Sequence, residues 1–142
     1  MVTRKRAFLI TAFCLLFMGA TQASATPYID GRWRGRTFLT ADTCGGMPSF
    51  VRNRFRIEEL FRNTAANWIN LWEGDTYTAG RWTGNRTFFT TNGFEGSYGR
   101  MDISYEFSRV RRRLADLRVT TYITAHSGEQ CAFQYTGTVR KR

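Results

Sequence analysis

Histidine, proline and lysine are scarce in this chain of 142 residues, which holds one histidine, two prolines and two lysines. The sequence contains no phosphate-binding loop, no glycine-rich dinucleotide motif and no H-E-x-x-H zinc motif. His126 lies in a turn-like stretch, where histidine is usually solvated, and Glu58 and Glu59 would face opposite sides of a regular strand. These absences favour a protein that is not an enzyme.

Long apolar runs are also missing, and the longest lies at the N-terminus. Basic residues at 4–6 precede an apolar stretch at 7–19, and the small residues at 23–25 fit the A-x-A rule of signal-peptide cleavage. The apolar stretch is shorter than the roughly 20 residues that a membrane-spanning helix needs. We therefore predict a cleaved signal peptide at 1–25, a single domain at 26–142, and a periplasmic or secreted location in a bacterium. The export route, Sec or Tat, stays open.

Only two cysteines, Cys44 and Cys131, follow the predicted signal peptide. A pair of cysteines in an oxidising compartment is expected to form a disulfide, and this pair is 87 residues apart. Two cysteines and His126 cannot complete a four-ligand metal site, so we expect neither a metal nor a cofactor.

The predicted mature chain is strongly basic. The signal peptide holds three of the 21 basic residues and none of the 11 acidic ones, which leaves 18 against 11 and a net charge of +7. Apart from Lys141, all of these cations are arginine, whose guanidinium suits bidentate contacts with anions. Codon usage that favours arginine is the alternative explanation.

Hydrophobic residues alternate with a period of two nearly throughout residues 26–142. In the clearest case, Met101, Ile103, Tyr105 and Phe107 share one face of an extended segment. A frame break at Glu59 predicts a β-bulge. The predicted strands, separated by turn-forming residues, are GRWRGRTFL, FRIEELF, WINLWE, TYTAGRWTG, RTFFTTN, RMDISYEFS, LRVTTYITA and CAFQYTGTV.

Eight consecutive strands with short connections favour an antiparallel meander, which removes its exposed edges by closing on itself. In a closed barrel with an even number of strands, the first and last strands are antiparallel neighbours. Cys44 follows the first strand and Cys131 opens the last, so a disulfide there would pin the seam. The predicted fold is all-β, a single eight-stranded antiparallel up-and-down barrel.

The opening strand, GRWRG, resembles the G-x-W start of lipocalins and the related calycin barrels, which include avidin. The resemblance implies that Trp33 plugs the barrel floor, that Arg140 packs over it, and that the barrel has room for an internal cavity. It covers about ten residues of the domain. The C-terminal helix, the late T-D-Y-type motif and the asparagine after the avidin opening have no counterpart here, and the resemblance implies no particular ligand.

Aromatic side chains are candidates for the barrel interior. A barrel of eight strands is just wide enough to fill itself with side chains or to hold one small ligand. Large inward side chains favour a filled interior, whereas Gly35 and Gly137 favour some free space. The predicted floor or cavity residues are Trp33, Trp68, Trp72, Tyr105, Phe133 and Tyr135.

Arginines occupy alternate positions in the first two predicted strands, so their side chains should share one face of each strand. A hairpin centred near Gly46 would pair Arg36 with Arg56 and Arg34 with Glu58. The run at 111–113 is predicted to be a solvated hairpin tip. The candidate anion-binding residues are Arg32, Arg34, Arg36, Arg54, Arg56 and Arg140, and a merely solvated basic face is the alternative.

These observations together predict an exported, non-catalytic β-barrel that binds an anionic component of the cell envelope through its arginine-rich outer face. The first alternative is a carrier of a small apolar or aromatic ligand. The second is a small outer-membrane barrel, which is disfavoured by strands shorter than roughly 9 to 11 residues and by the final VRKR. Nucleic acid is not an expected partner because export removes the protein from it. A peripheral contact with a membrane or with another protein is a further alternative, and the oligomeric state stays open.

Overall fold

The computed structural model describes residues 26–62, 67–84 and 86–142, so the predicted signal peptide lies outside the described residues. None of the described segments is a helix that could cross a membrane. The described strands are β1 (Gly31–Asp42), β2 (Phe50–Leu60), β3 (Trp68–Glu73), β4 (Thr76–Gly84), β5 (Thr87–Gly96), β6 (Gly99–Ser108), β7 (Leu114–Ala125) and β8 (Gln130–Lys141).

The eight strands form a closed barrel in which each strand is antiparallel to its neighbours in the chain and β1 pairs with β8. The β1–β8 register runs from Trp33 opposite Lys141 to Asp42 opposite Phe133, with an irregularity between Leu39 and Ala41. The predicted all-β, up-and-down barrel is therefore confirmed. It is compatible with a calycin-like fold.

The alternation of the sequence explains which face of each strand is buried. Because successive side chains of a strand point to opposite sides, one apolar series can fill the interior while the other series meets water. On β6, Tyr105 and Phe107 are buried, and on β7, Leu117 and Val119 are buried. Aromatic rings dominate the packing, since Phe88 stacks on Phe107 with ring centroids 4.3 Å apart.

We call the two ends of the barrel the floor end and the mouth end. The floor end holds the start of β1 and the 109–113 turn, and there Trp33 is buried and donates its indole N–H to the backbone oxygen of Ile29 at 2.7 Å. Ile29 and Val110 are themselves buried. The mouth end holds the 43–49 loop, whose Pro48 oxygen accepts a hydrogen bond from the Tyr135 hydroxyl at 2.8 Å.

Gly35 and Gly137 mark close approach between strands, which corrects the expectation that they provide space in the barrel. A Cβ atom on Gly35 would lie 2.2 Å from the backbone oxygen of Thr138, and one on Gly137 would lie 2.2 Å from that of Arg36. Both contacts cross the β1–β8 seam. These glycines therefore allow the seam to close tightly.

Glu59 is an inward residue of β2, and the predicted bulge there is wrong. The β2–β3 register continues regularly through Glu59 opposite Ile69 and Leu60 opposite Trp68. The side chain of Glu59 is only 1% exposed. Its carboxylate accepts hydrogen bonds from the Arg62 guanidinium at 2.6 Å and the Trp82 indole N–H at 3.1 Å, so the buried charge is paired. The alternation of apolar and polar residues is interrupted at Glu59 because this inward position holds a paired carboxylate at the floor end and not an apolar side chain.

Cys44 and Cys131 form the predicted disulfide, with their Cα atoms 4.9 Å apart. Hydrogen bonds between Thr43 and Ala132 hold the same junction, because each backbone N–H has a partner on the other residue. The disulfide therefore joins the end of β1 to the start of β8 at the mouth end, where the barrel closes.

Removing the disulfide should lower stability without preventing closure, because the β1–β8 pairing continues along the seam. For cysteines 87 residues apart, the chain-entropy model sets the loss at no more than about 4 to 5 kcal/mol. Urea unfolding of the oxidised protein and of a Cys44→Ala, Cys131→Ala variant would measure the difference in unfolding free energy. Equal midpoints would show that the cross-link does not restrict the unfolded chain.

Candidate functional site

The outward arginines of β1 and β2 form three directly opposed pairs. Arg32 lies opposite Arg56 and Arg34 opposite Arg54, and the third pair is Arg36 with Arg52. The predicted pairs of Arg36 with Arg56 and of Arg34 with Glu58 are therefore wrong.

The 43–49 loop explains the difference in register, because it is a wide, side-chain-stabilised loop and not a tight hairpin centred on Gly46. The Asp42 carboxylate accepts hydrogen bonds from the backbone N–H groups of Cys44 at 3.0 Å, Gly45 at 2.9 Å and Met47 at 3.2 Å. Pairing between β1 and β2 ends at Phe38 opposite Phe50. The turn-forming residues of the loop predict a turn but not its hydrogen bonds to Asp42, so the β1–β2 register could not be predicted from them.

Barrel closure brings further arginines to these pairs. Arg140 on β8 lies opposite Arg34, and the backbone N–H of Arg142 bonds to the oxygen of Arg32 at 2.9 Å. The backbone oxygen of Arg113 accepts from Lys141 at 3.0 Å, which places the 109–113 turn beside the end of β8. We call the resulting exposed surface the basic wall; it consists of Arg32, Arg34, Arg36, Arg52, Arg54, Arg56, Arg113, Arg140 and Arg142.

Three members of the basic wall, Arg52, Arg113 and Arg142, are not among the candidate anion-binding residues of the sequence, for different reasons. Arg52 precedes the second predicted strand, FRIEELF, although it continues the same alternation as Arg54 and Arg56. Arg113 was predicted to be a solvated tip residue, and only the pairing of β8 with the 109–113 turn reveals its position. Arg52 could have been found by extending the alternation of Arg54 and Arg56 by two residues, whereas Arg142 follows the last predicted strand, CAFQYTGTV.

The charges of the basic wall are not neutralised within the described part of the chain. The ion pairs found there involve Arg62, Arg100, Arg109 and Arg118, and none includes an arginine of the basic wall. Like charges placed directly opposite one another on neighbouring strands are destabilising. The basic wall therefore carries several guanidinium groups that an external anion could contact together.

Shallow clefts lie between these side chains. One, of about 450 Å³, is lined by Arg32, Arg54, Arg56 and Trp72, among others. A second, of about 580 Å³, includes Arg36, Arg52, Arg113 and Arg140. Because guanidinium groups line both clefts, an acidic group that enters either one can accept several charge-assisted hydrogen bonds.

Aromatic rings border the basic wall. The Arg36 guanidinium lies 4.8 Å from the centroid of the Phe50 ring, and that of Arg56 lies 5.3 Å from the Trp72 ring. Trp72 in turn packs against Tyr77, with ring centroids 4.8 Å apart. These cation–π contacts orient two of the arginines along the surface.

The aromatic residues predicted for the barrel interior divide between the two faces. Trp33, Tyr105 and Tyr135 are buried inside, and Phe133 is half-buried on the same face. Trp68 and Trp72 instead lie on the outer face, so their assignment to the cavity is wrong.

The reason lies in β3, which is apolar on both sides. Ile69 and Leu71 fill the interior and are 0% and 1% exposed, whereas Trp68 is 41% exposed. The outward tryptophans find polar partners, since Trp72 donates its indole N–H to the Glu58 carboxylate at 3.0 Å.

Arg140 is exposed on the outer face of β8 and does not take the floor position that the calycin resemblance implies. The β8 residue opposite Trp33 is Lys141, whose ammonium nitrogen lies 4.8 Å from the ring centroid of Tyr28. A shift of one residue along a strand moves a side chain to the other face. Arg140, one residue before Lys141, therefore points outward and belongs to the basic wall.

A separate pocket of about 280 Å³ opens at the mouth end, with Leu71, Phe94, Met101 and Ile103 among its lining residues. At its wall the Tyr105 hydroxyl donates a hydrogen bond to the Glu73 carboxylate at 2.5 Å. Burial of the carboxylate raises the pKa of Glu73, although the residue as a whole is exposed. Burial and the neighbouring Glu73 charge raise the pKa of Tyr105, so this hydroxyl stays protonated at neutral pH.

The residues considered for catalysis are not assembled into one site. His126 is exposed in the 126–129 turn, with its Nε2 atom 3.3 Å from the backbone oxygen of Gly96. Glu58 faces outward and Glu59 inward, as their adjacent positions on β2 require. Among the residues that the structure describes, no group of three histidine, cysteine, aspartate or glutamate side chains is placed to hold a metal ion.

Comparison of this chain with protein-family models, with curated proteins and with solved structures found no match. The likeness to calycin barrels therefore consists of the closed eight-stranded barrel and the buried Trp33 near the start of β1.

Proposed function

We propose that this protein binds an anionic partner through the basic wall and does so without catalysis. The observation that supports the proposal is the set of three opposed arginine pairs on β1 and β2, extended by Arg140 on β8, without acidic partners among the described ion pairs. A surface of this kind is costly in the free protein, and a bound anion relieves the repulsion.

The spacing of the arginines suits a partner with several acidic groups. Successive outward residues of one strand are about 6.6 Å apart, and neighbouring strands are about 4.8 Å apart. Phosphate, carboxylate or sulfate groups repeated at such distances can each be held by more than one guanidinium, which offers a planar pair of donors. The predicted export of the chain supports an anionic component of the cell envelope as the partner.

Strands β1, β2 and β4 to β8 are 9 to 12 residues long, so the prediction of short strands is wrong and does not count against the outer-membrane alternative. The distribution of polar residues argues against it instead. A membrane-spanning barrel turns an apolar band outward and encloses a polar interior. Here the buried residues are mainly apolar, as Phe88, Phe107 and Leu117 illustrate, whereas arginines occupy the outer faces of β1 and β2.

Removing one arginine pair should weaken anion binding while leaving the fold intact. We expect Arg34→Gln with Arg54→Gln to lower the affinity for dextran sulfate at low salt at least about tenfold, because charge-assisted hydrogen bonds are lost. The unfolding free energy should stay equal or rise by at most about 1 kcal/mol, since a repulsive pair disappears. Binding isotherms at several salt concentrations and urea unfolding would measure both effects.

The matched control is Arg81→Gln with Arg118→Gln, which removes the same charge from β4 and β7 outside the basic wall. This control should keep most of the affinity. An equal loss in both double variants would show that net charge alone drives binding, which would contradict a role for the arrangement of the arginines.

The mouth pocket supports a second candidate function, the carriage of a small, mainly apolar ligand. Leu71, Phe94 and Ile103 supply apolar contacts, and Glu73 with Tyr105 supplies a polar anchor. If the pocket is occupied in the cell, protein purified from the envelope should show a bound mass by native mass spectrometry. Ile103→Trp, which fills the pocket, should lose that mass, whereas the Arg34, Arg54 double variant should keep it.

The raised pKa of Glu73 predicts the pH dependence of stability. A carboxyl group whose pKa is higher in the folded than in the unfolded protein destabilises the folded state as the pH rises through both values. Glu73→Gln removes that charge, so we expect the variant to gain thermal stability relative to the native protein at pH 7 and to lose this advantage at pH 3. Thermal unfolding at the two pH values would test this, and an advantage that grows toward low pH would contradict it.

A further inference from the structure

Two exposed phenylalanines continue the arginine rows toward the mouth end of the barrel. Phe38 follows Arg36 on the outer face of β1, Phe50 precedes Arg52 on that of β2, and the two rings lie opposite each other with centroids 6.5 Å apart. Phe38 is 53% exposed and Phe50 is 42% exposed. An apolar pair therefore ends a surface that is otherwise cationic.

Between the two phenylalanines the chain carries one charged residue, Asp42, whose carboxylate accepts hydrogen bonds from the backbone N–H groups of the 43–49 loop. The 43–49 loop contains no charged residue, and its sequence, TCGGMPS, includes an exposed proline beside Met47. On the lateral margin of the basic wall, Trp72 and Tyr77 combine apolar rings with polar edges. Aromatic residues of this kind concentrate at the boundary between water and lipid.

We propose that the mouth-end part of the basic wall docks on an anionic membrane surface, with Arg36 and Arg52 at the lipid phosphates and with Phe38 and Phe50 at the boundary between headgroups and acyl chains. This inference rests on the proposed function and adds the source of the anion. A soluble polyanion could satisfy the guanidinium groups, but it would leave the two phenyl rings in water. A lipid surface provides both the anionic layer and the apolar phase beneath it.

The dimensions fit this arrangement. Phe38 and Arg36 are two residues apart on one strand, which corresponds to about 6.6 Å along the strand. Apolar groups of interfacial proteins enter the headgroup boundary by roughly 5 to 10 Å. When the phenylalanine pair is inserted to that depth, the pair of Arg36 and Arg52 reaches the level of the phosphates.

The test compares sedimentation of the full exported protein with vesicles of phosphatidylcholine alone and of phosphatidylcholine mixed with phosphatidylglycerol. We expect binding only to the anionic vesicles, with a fraction that persists at high salt. Phe38→Ser with Phe50→Ser should lower vesicle affinity at least about tenfold and abolish the salt-resistant fraction, because the inserted apolar contact is lost. Binding to dextran sulfate should be unchanged in the single variant Phe38→Ser, which keeps the cation–π contact of Phe50 with Arg36.

The control variant, Phe89→Ser with Tyr122→Ser, removes two exposed aromatic rings from β5 and β7 outside the basic wall. It should bind vesicles like the native protein. Thermal unfolding checks that each variant is folded, and if the Phe38, Phe50 double variant is not, the single variant Phe38→Ser replaces it.

The outcomes separate this inference from the proposed function. Unchanged vesicle binding by the Phe38, Phe50 variant, or binding of the native protein to dextran sulfate but not to vesicles, would overturn membrane docking and leave anion binding standing. If glycerol phosphate at equal salt displaces the native protein from vesicles, the basic wall binds free phosphate compounds. That result would also overturn membrane docking. If the native protein binds neither vesicles nor dextran sulfate, the proposed function itself is wrong.

Discussion

Closure of the barrel through the β1–β8 pairing is the constraint on which the rest of this structure depends. The seam is tight because Gly35 and Gly137 have no side chains to separate the strands, and the Cys44–Cys131 disulfide holds its mouth end. Closure removes both sheet edges and encloses the aromatic core. It also places Arg140, more than a hundred residues later in the chain, opposite Arg34. The same contact thus stabilises the fold and completes the basic wall.

The barrel interior is packed with aromatic side chains, so the proposed binding sites lie on the outer surface and at the mouth end. Phe55, Phe88, Phe107 and Tyr105 form edge-on and stacked ring contacts inside the barrel. Below them, at the floor end, the indole of Trp33 is fixed by a hydrogen bond to Ile29. Concave sites in the described part of the chain include the shallow clefts between the arginines and the pocket beside Glu73. The clefts lie mainly among outward arginines, and the pocket opens at the mouth end among inner-face residues such as Leu71 and Ile103.

The fold was predictable from the sequence because a single physical pattern repeats along the chain. Alternation of apolar and polar residues identified each strand, and the positions of Cys44 and Cys131 indicated closure. Prediction failed where two choices were equally consistent with that pattern. In β3 both faces are apolar, so the outward position of Trp72 depended on which residues the core could accommodate. In β2 the inward position of Glu59 depended on partners that lie elsewhere in the chain, the Trp82 indole and the backbone N–H of Ile29.

The amino-acid sequence by itself determined the strands, the face that each arginine of β1 and β2 occupies, and the pairing of the cysteines. These properties follow from the local pleat of an extended chain and from the small number of candidate partners. Only the tertiary structure decided the register between strands, because the Asp42 carboxylate organises the 43–49 loop and shifts β2 relative to a simple hairpin. That register placed like charges opposite each other and aligned Phe38 with Phe50. It depends on contacts between distant residues, which a local pattern does not contain.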